Sequence, residues 1–276
     1  MLELDFTENK DIKSGFVKMS DEEYFSLNAI SNSDFRLLAN TPKHLEHKEL
    51  FKLEGAKFVF GSALHTYILE PEEFNNRYAV EDFEGCDLNK NTKAYKEAKA
   101  LWLDSVNGRD ILSKDDFTKI KDMALRVNTI YGYALTGGYS EIAMLSEINC
   151  IPVKGKVDYI NHEKQYIIDL KTTPDIKKFG NSMVDYNYIS QVAFYKDITD
   201  AISGKDYDFY FLLVETVAPY NTIMLRATSD VIEIGRDIYG EMLDKWAKYK
   251  QDGTADMIKP TILPEWFLKS RGYLDD

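Results

Sequence analysis

An α/β fold with a central sheet flanked by helices follows from three observations on the chain. Short runs rich in β-branched and aromatic residues crowd positions 139–227. Positions 1–135 are patterned mainly for helix, and 229–246 repeats apolar residues at helical spacing. With 276 residues and 44% hydrophobic content the chain can bury a sizeable core, and a single elaborated domain, 1–276, is expected rather than two. Within it, 136–276 forms the sheet core and closing helix.

In order, Ser20 or Asp21 and Ser31 or Ser33 are candidate N-caps, because a short side-chain oxygen satisfies a free first-turn N–H. Pro42 suits the first position of a helix, where its missing N–H costs nothing. Phe60-Gly-Ser-Ala-Leu-His-Thr-Tyr-Ile-Leu-Glu-Pro71 predicts a helix begun at Gly61 or Ser62 and stopped before the proline, carrying His65. A long polar helix covers about 91–105. Strands are expected at 142–151, 153–160 and 166–172, then a helix at 187–202, then strands at 207–214 and 221–227. In the closing helix Val231, Ile234, Ile238, Met242 and Trp246 are expected to face the core.

The 166–172 run interrupts itself with opposite charges. Side chains alternate along a strand, so Asp169 and Lys171 point one way while Ile168 and Leu170 point the other. Asp158 lies on the preceding run, and residues 161–165 can fold the two into a hairpin that brings two carboxylates and an amine together. Converging carboxylates repel unless a divalent cation lies between them, and a nearby lysine can orient or deprotonate a water. An ordinary Asp/Lys pair on a solvated edge fits the residues equally well.

On the following helix Gln191 and Tyr195 are four apart and share a face, suited to touching a nucleic-acid backbone or holding the lysine. His65 is on residue type alone more often a core histidine than a ligand, although neutral imidazole binds metals well. Tyr186-Asn-Tyr188 offers stacking surfaces for an unpaired base, with core packing the commoner use of such residues.

Taken together, residues 61–74, the Asp158 strand, Asp169-Leu-Lys-Thr-Thr173 and Gln191-x3-Tyr195 resemble the PD-(D/E)XK nuclease superfamily, and within it the RecE-like phage and prophage exonucleases. Ile30 to Phe35 with Thr41-Pro42, Phe211 to Glu215 with Pro219, and the tail Ile262 to Phe267 extend the resemblance over most of the chain. Val157 stands where the superfamily name has proline. The resemblance implies a nuclease core with a central mixed β-sheet and a mainly helical N-terminal part. It implies magnesium, with manganese able to substitute, at one or two ions per site. The metal ligands carried over are His65, Asp158, Asp169 and the Leu170 carbonyl. Lys171 assists the attacking water, and Gln191 and Tyr195 match the motif of the RecB-like branch. Glu141 falls where that pattern often carries a glutamate, for a second metal or its water. A surface role suits it as well. The implied activity is 5′-to-3′ resection of double-stranded DNA ends, leaving 3′ single strands for a RecT-like annealing protein in phage recombination. A structure-selective or restriction-like endonuclease, or a non-catalytic DNA-binding module, is the alternative.

Charge argues against a broad nucleic-acid surface: 34 Lys and Arg against 46 Asp and Glu leave −12. Local field matters more in a narrow groove, and Lys154, Lys156, Lys171, Lys177 and Lys178 crowd the candidate segment. DNA contacts are accordingly expected from Lys154, Lys156, Thr172, Thr173, Gln191 and Tyr195, with Ser31 and Ser33 at a helix N-terminus suited to a 5′-phosphate or to plain capping. An acidic, processive enzyme needs topological retention, so a closed homo-oligomer is expected. The resemblance implies a toroid, and Trp266, Phe267 and Tyr273 are candidate contacts. Gly132-x4-Gly137-Gly138 lacks the lysine of a phosphate-binding loop, and Cys86 and Cys150 cannot make a four-thiolate cluster. No run spans a bilayer and the charged start is no signal peptide, so a cytoplasmic location, in a bacterial host, is expected.

Overall fold

The computed structural model describes residues 14–51, 56–253 and 268. Its elements run β1 (Gly15–Val17), α1 (Asp21–Ser26), α2 (Asn32–Asn40), α3 (Pro42–Glu46), α4 (Ala56–Leu69), α5 (Phe74–Arg77), β2 (Tyr78–Val80), α6 (Lys93–Val106), β3 (Asp110–Leu112), α7 (Lys114–Tyr131), β4 (Tyr139–Ile148), β5 (Ile151–Asn161), β6 (Tyr166–Thr173), α8 (Phe179–Asp185), α9 (Tyr188–Ser203), β7 (Asp208–Glu215), β8 (Thr222–Arg226) and α10 (Ser229–Asp252).

A mixed sheet in the order β1-β4-β5-β6-β7-β8 forms the centre. Neighbours are antiparallel except β6 and β7. A parallel pair requires a crossover, and α8 with α9 supplies it. β1 comes from the mainly helical N-terminal part, as do β2 and β3, which pair with each other apart from the main sheet.

Helices cover both faces, because β6 and β7 are apolar on both sides. Ile167, Phe211 and Leu213 pack with Phe35, Leu38, Phe194, Ile198 and Leu243 from α2, α9 and α10. Ile168, Leu170, Leu212 and Val214 pack with Leu64, Ile120, Met123 and Val127 from α4 and α7. Full burial of each such side chain contributes about 1.5–3 kcal/mol.

Local chemistry sets most boundaries. Ser20 accepts from the Glu23 N–H while Glu23 accepts from the Ser20 N–H, a capping box. Pro42 opens α3, and Thr92 caps α6. Three sequence expectations need correction. The His65 helix starts at Ala56 rather than Gly61 or Ser62, since a glycine inside a buried helix costs only about 1 kcal/mol and packing overrides it. Ile151 belongs to β5, because Asn149 and Cys150 (φ 51° and 61°) form a two-residue left-handed hairpin turn between β4 and β5. In α10 the buried stripe runs through Gly235, Tyr239 and Leu243, leaving Ile234 51% exposed. Trp266, Phe267 and Tyr273 lie outside the described residues. Among the described residues no helix is long and apolar enough to cross a membrane.

Candidate active site

The site lies where β5 and β6 part. Their ladder ends at the Tyr159↔Ile168 pair, and one residue further the Asp158 carboxylate takes over, its Oδ2 accepting the Leu170 N–H at 2.7 Å. Each face of the sheet then contributes a helix. From α4, anchored by the fully buried Ala63 and Leu64, His65 brings Nδ1 to 3.4 Å from Asp158 Oδ2. From α9 on the other face, Gln191 Nε2 donates to Asp169 Oδ1 at 2.9 Å. The Lys171 ammonium sits 2.6 Å from the buried Asp169 Oδ2.

Glu141 on β4 lies opposite Asp158, between the Ser140↔Tyr159 and Ile142↔Val157 pairs. Its φ of 55° is left-handed, a conformation that costs a non-glycine residue about 1–3 kcal/mol and recurs at functional sites. The ligand atoms of His65, Glu141 and Asp158 all lie within 4.8 Å of one another.

Electrostatics mark the cluster as incomplete. Burial, reinforced by Asp158, holds the Glu141 carboxyl above its ordinary range. Burial also raises Asp158, against the pull of Lys171. Asp169 is pushed up to about 6 by burial, opposed by Lys171 and reinforced by Asp158. Burial and then Lys171 lower His65, so its imidazole is neutral near pH 7 and keeps a lone pair for a metal. Lys171 is drawn down by burial but held above its ordinary value by Asp169 and Asp158. Three desolvated carboxylates therefore face two ammonium groups, Lys171 and Lys156. An excess of buried carboxylates over ammonium groups, beside a convergent nitrogen and oxygen donor set, fits a divalent cation. His65, Glu141 and Asp158 would hold it, with Asp169 and the Leu170 carbonyl adjoining.

Several residues expected at a DNA surface do other work. Lys154 is buried at 2% exposure, its ammonium donating to the Tyr24 and Leu27 carbonyls at 2.7 and 2.9 Å and lying 4.8 Å from the Tyr24 ring. Burial brings its pKa down to about 8. Lys156 is shared between Asp21 at 2.7 Å and Glu141 at 3.1 Å. Thr173 is buried and closes a turn with Asp175, while Thr172 stays half-buried. The Ser31 N–H and hydroxyl both donate to Asp34 Oδ2 at 2.8 Å, and Ser33 bonds Ser31, so local capping uses both serines. Gln191 and Tyr195 are each only 9% exposed. Gln191 holds the aspartate rather than the lysine. The Tyr195 ring fills the space left by Gly155, where a Cβ would meet it at 3.0 Å. Burial, then Asp169, pushes the Tyr195 hydroxyl up to about 12.

Tyr188, expected from sequence as a stacking surface or a core residue, also reaches the charged cluster. Its ring lies 4.7 Å from the Lys171 ammonium, a cation–π contact worth about 0.5–2 kcal/mol. The signal was there: 188, 191 and 195 share one helical face.

Among curated proteins none matches the chain. Of solved structures, a "putative exonuclease" from Eubacterium rectale shares the fold, with TM-score 0.61 and 14% identity over 92% of this chain and 99% of that one. A second, SSO0001, aligns at TM-score 0.40 and 15% identity over 86% and 93%. Residues 14–256 match the family model of a PDDEXK-like domain of unknown function (DUF3799). Fold, charged fork and family match agree, and the chain belongs to this PDDEXK-like family of the PD-(D/E)XK nucleases.

Proposed function

We propose that the protein is a magnesium-dependent DNA exonuclease of the RecE-like type, hydrolysing double-stranded DNA from its ends in the 5′-to-3′ direction. The observation that carries the metal-dependent chemistry is the convergence of His65, Glu141 and Asp158 within 4.8 Å beside the Asp169–Lys171 pair. A divalent cation held by His65, Glu141 and Asp158 would supply Lewis-acid polarisation of the scissile phosphate and a more acidic water. Lys171 keeps its proton at neutral pH, because its two carboxylate neighbours hold its pKa up. It is therefore positioned to donate a hydrogen bond to the attacking water or the developing phosphate charge. Gln191 fixes the Asp169 carboxylate, and Tyr188 fixes the lysine.

End-dependence, polarity and the biological setting come from the resemblance to RecE-like enzymes: phage recombination in a bacterial cytoplasm, a product strand passed to a RecT-like annealing protein, and a toroidal homo-oligomer. The −12 charge supports the ring, since a polyanion substrate is retained better by enclosure than by attraction. Linear duplexes labelled at either end, with and without magnesium or manganese, test the reading. Early release of the 5′ label, only with metal, and an intact covalently closed circle are expected. Nicking or cutting of the closed circle would replace the exonuclease by an endonuclease on the same site.

A further inference from the structure

We propose that the tyrosine step joining α8 to α9 is a stacking platform for an unpaired nucleobase of the substrate, with Lys177 and Lys178 holding phosphates of the same strand. The proposal rests on the nuclease reading and adds where the strand lies.

Tyr188 is fixed from two sides. Lys171 lies over its ring at 4.7 Å, and Phe179 stacks against it at 5.9 Å and 25°. Tyr186 follows outward, its ring 5.7 Å from Tyr188 and inclined by 33°. At 66% exposure it turns a face to solvent. The backbone makes this division. Asn187 takes a left-handed φ of 58°, one of the few side chains that tolerate it, and the turn sends Tyr186 out while Tyr188 goes in. Val184, two residues earlier, is likewise 69% exposed. An aromatic ring one stacking step from a catalytic lysine is what a base displaced from its duplex would meet, and such stacking accepts any base.

Charge agrees. Of the lysines expected to line the groove, Lys154, Lys156 and Lys171 are consumed by carbonyls and carboxylates, whereas Lys177 and Lys178 are exposed at the start of this segment. Lys178 has only a loose 3.9 Å contact with Asp175. Exposed Asp185 beside Tyr186 favours the uncharged base there and the phosphates at the lysine end. The seven residues of α8 separate the two ends by on the order of 10 Å, one or two nucleotides of single strand.

The test uses the full chain with calcium in place of magnesium and duplexes carrying a fluorescent adenine analogue at each of the first four positions of a short single-stranded end. Quenching at one position is expected, lost in Tyr186→Ala and kept in Tyr186→Trp. With magnesium, Tyr186→Ala should lower kcat/KM by about five- to a hundred-and-fiftyfold, the range of one base–aromatic stack. The two proteins should become equal when the quenched position is abasic. Leu101→Ala, an equally exposed apolar residue on α6, should change nothing. Lys177→Ala and Lys178→Ala should each reduce the dependence of log affinity on log salt by about one unit. Quenching and cleavage unchanged in Tyr186→Ala would overturn the platform while leaving the nuclease intact. Unchanged salt slopes would overturn the lysine contacts. A wild-type protein that neither cleaves nor quenches would overturn the function and the platform together.

Discussion

Helix α9 carries a charged cluster at each end, built from the same residue types and put to different use. At its C-terminal end the Lys196 ammonium donates to Asp200 at 2.7 Å, to Asp206 and to the Tyr207 carbonyl at 2.9 Å, and Asp200 also accepts the Tyr207 N–H at 2.9 Å. Three donors meet three acceptors, and the cluster ties α9 to β7. At the N-terminal end Asp158, Asp169 and Glu141 outnumber the two ammonium groups beside them, Lys171 and Lys156. A satisfied cluster stabilises a connection. An unsatisfied one stores a desolvation cost that a bound cation relieves, so unresolved charge rather than charge itself marks the functional end.

Removing a ligand should separate the two clusters most sharply. Asp158→Asn is expected to abolish magnesium binding in calorimetry and to lower cleavage by more than about a thousandfold. Asp206→Asn should leave cleavage unchanged and stability within about 1 kcal/mol, as for other solvent-exposed pairs. Equal losses in the two variants would erase the distinction.

Lys171→Ala comes next. Turnover should fall by about a hundred- to ten-thousandfold while magnesium affinity stays within a few-fold. Buried Asp169 loses its partner, so the variant should also melt earlier. Residual turnover near the parent's would show that the lysine only balances charge.

The third contrast is in pH. Asp169 titrates at about 6 in the fold against about 3.9 for a free aspartate. The native state therefore binds this proton more tightly, and metal-free stability falls as pH climbs between those values, by at most about 3 kcal/mol. A cation must displace the proton. The rise in Tm on adding magnesium should accordingly be small at pH 5 and full above pH 7, and a flat profile would contradict the burial of that carboxylate. The smallest effect is expected from Tyr188→Leu: a two- to thirtyfold loss in kcat/KM, about what one cation–π contact is worth.

The sequence carried most of this. Alternation on β6 put Asp169 and Lys171 on one face, and hairpin signals brought Asp158 to them. What stayed hidden depends on contacts far apart in the chain. Lys154 looked like a DNA contact because it crowds the candidate segment with four other lysines, but α1 covers it, and the covering carbonyls belong to residues 24 and 27. The left-handed backbone at Glu141 has no glycine or asparagine to announce it. Gln191 reaching Asp169 rather than the lysine depends on how deeply α9 sits, which periodicity does not encode.

That depth is fixed from behind. At Gly235 on α10 an added Cβ would fall 2.4 Å from the Ile189 carbonyl and 2.7 Å from the Ala193 Cβ, and Ile189 and Gln191 point to opposite sides of α9. Any side chain at 235 would push the helix toward the sheet and move the amide against the aspartate it orients. A library of variants selected only for cleavage should thus prove as intolerant at this glycine as at the acidic ligands, although it touches neither metal nor substrate.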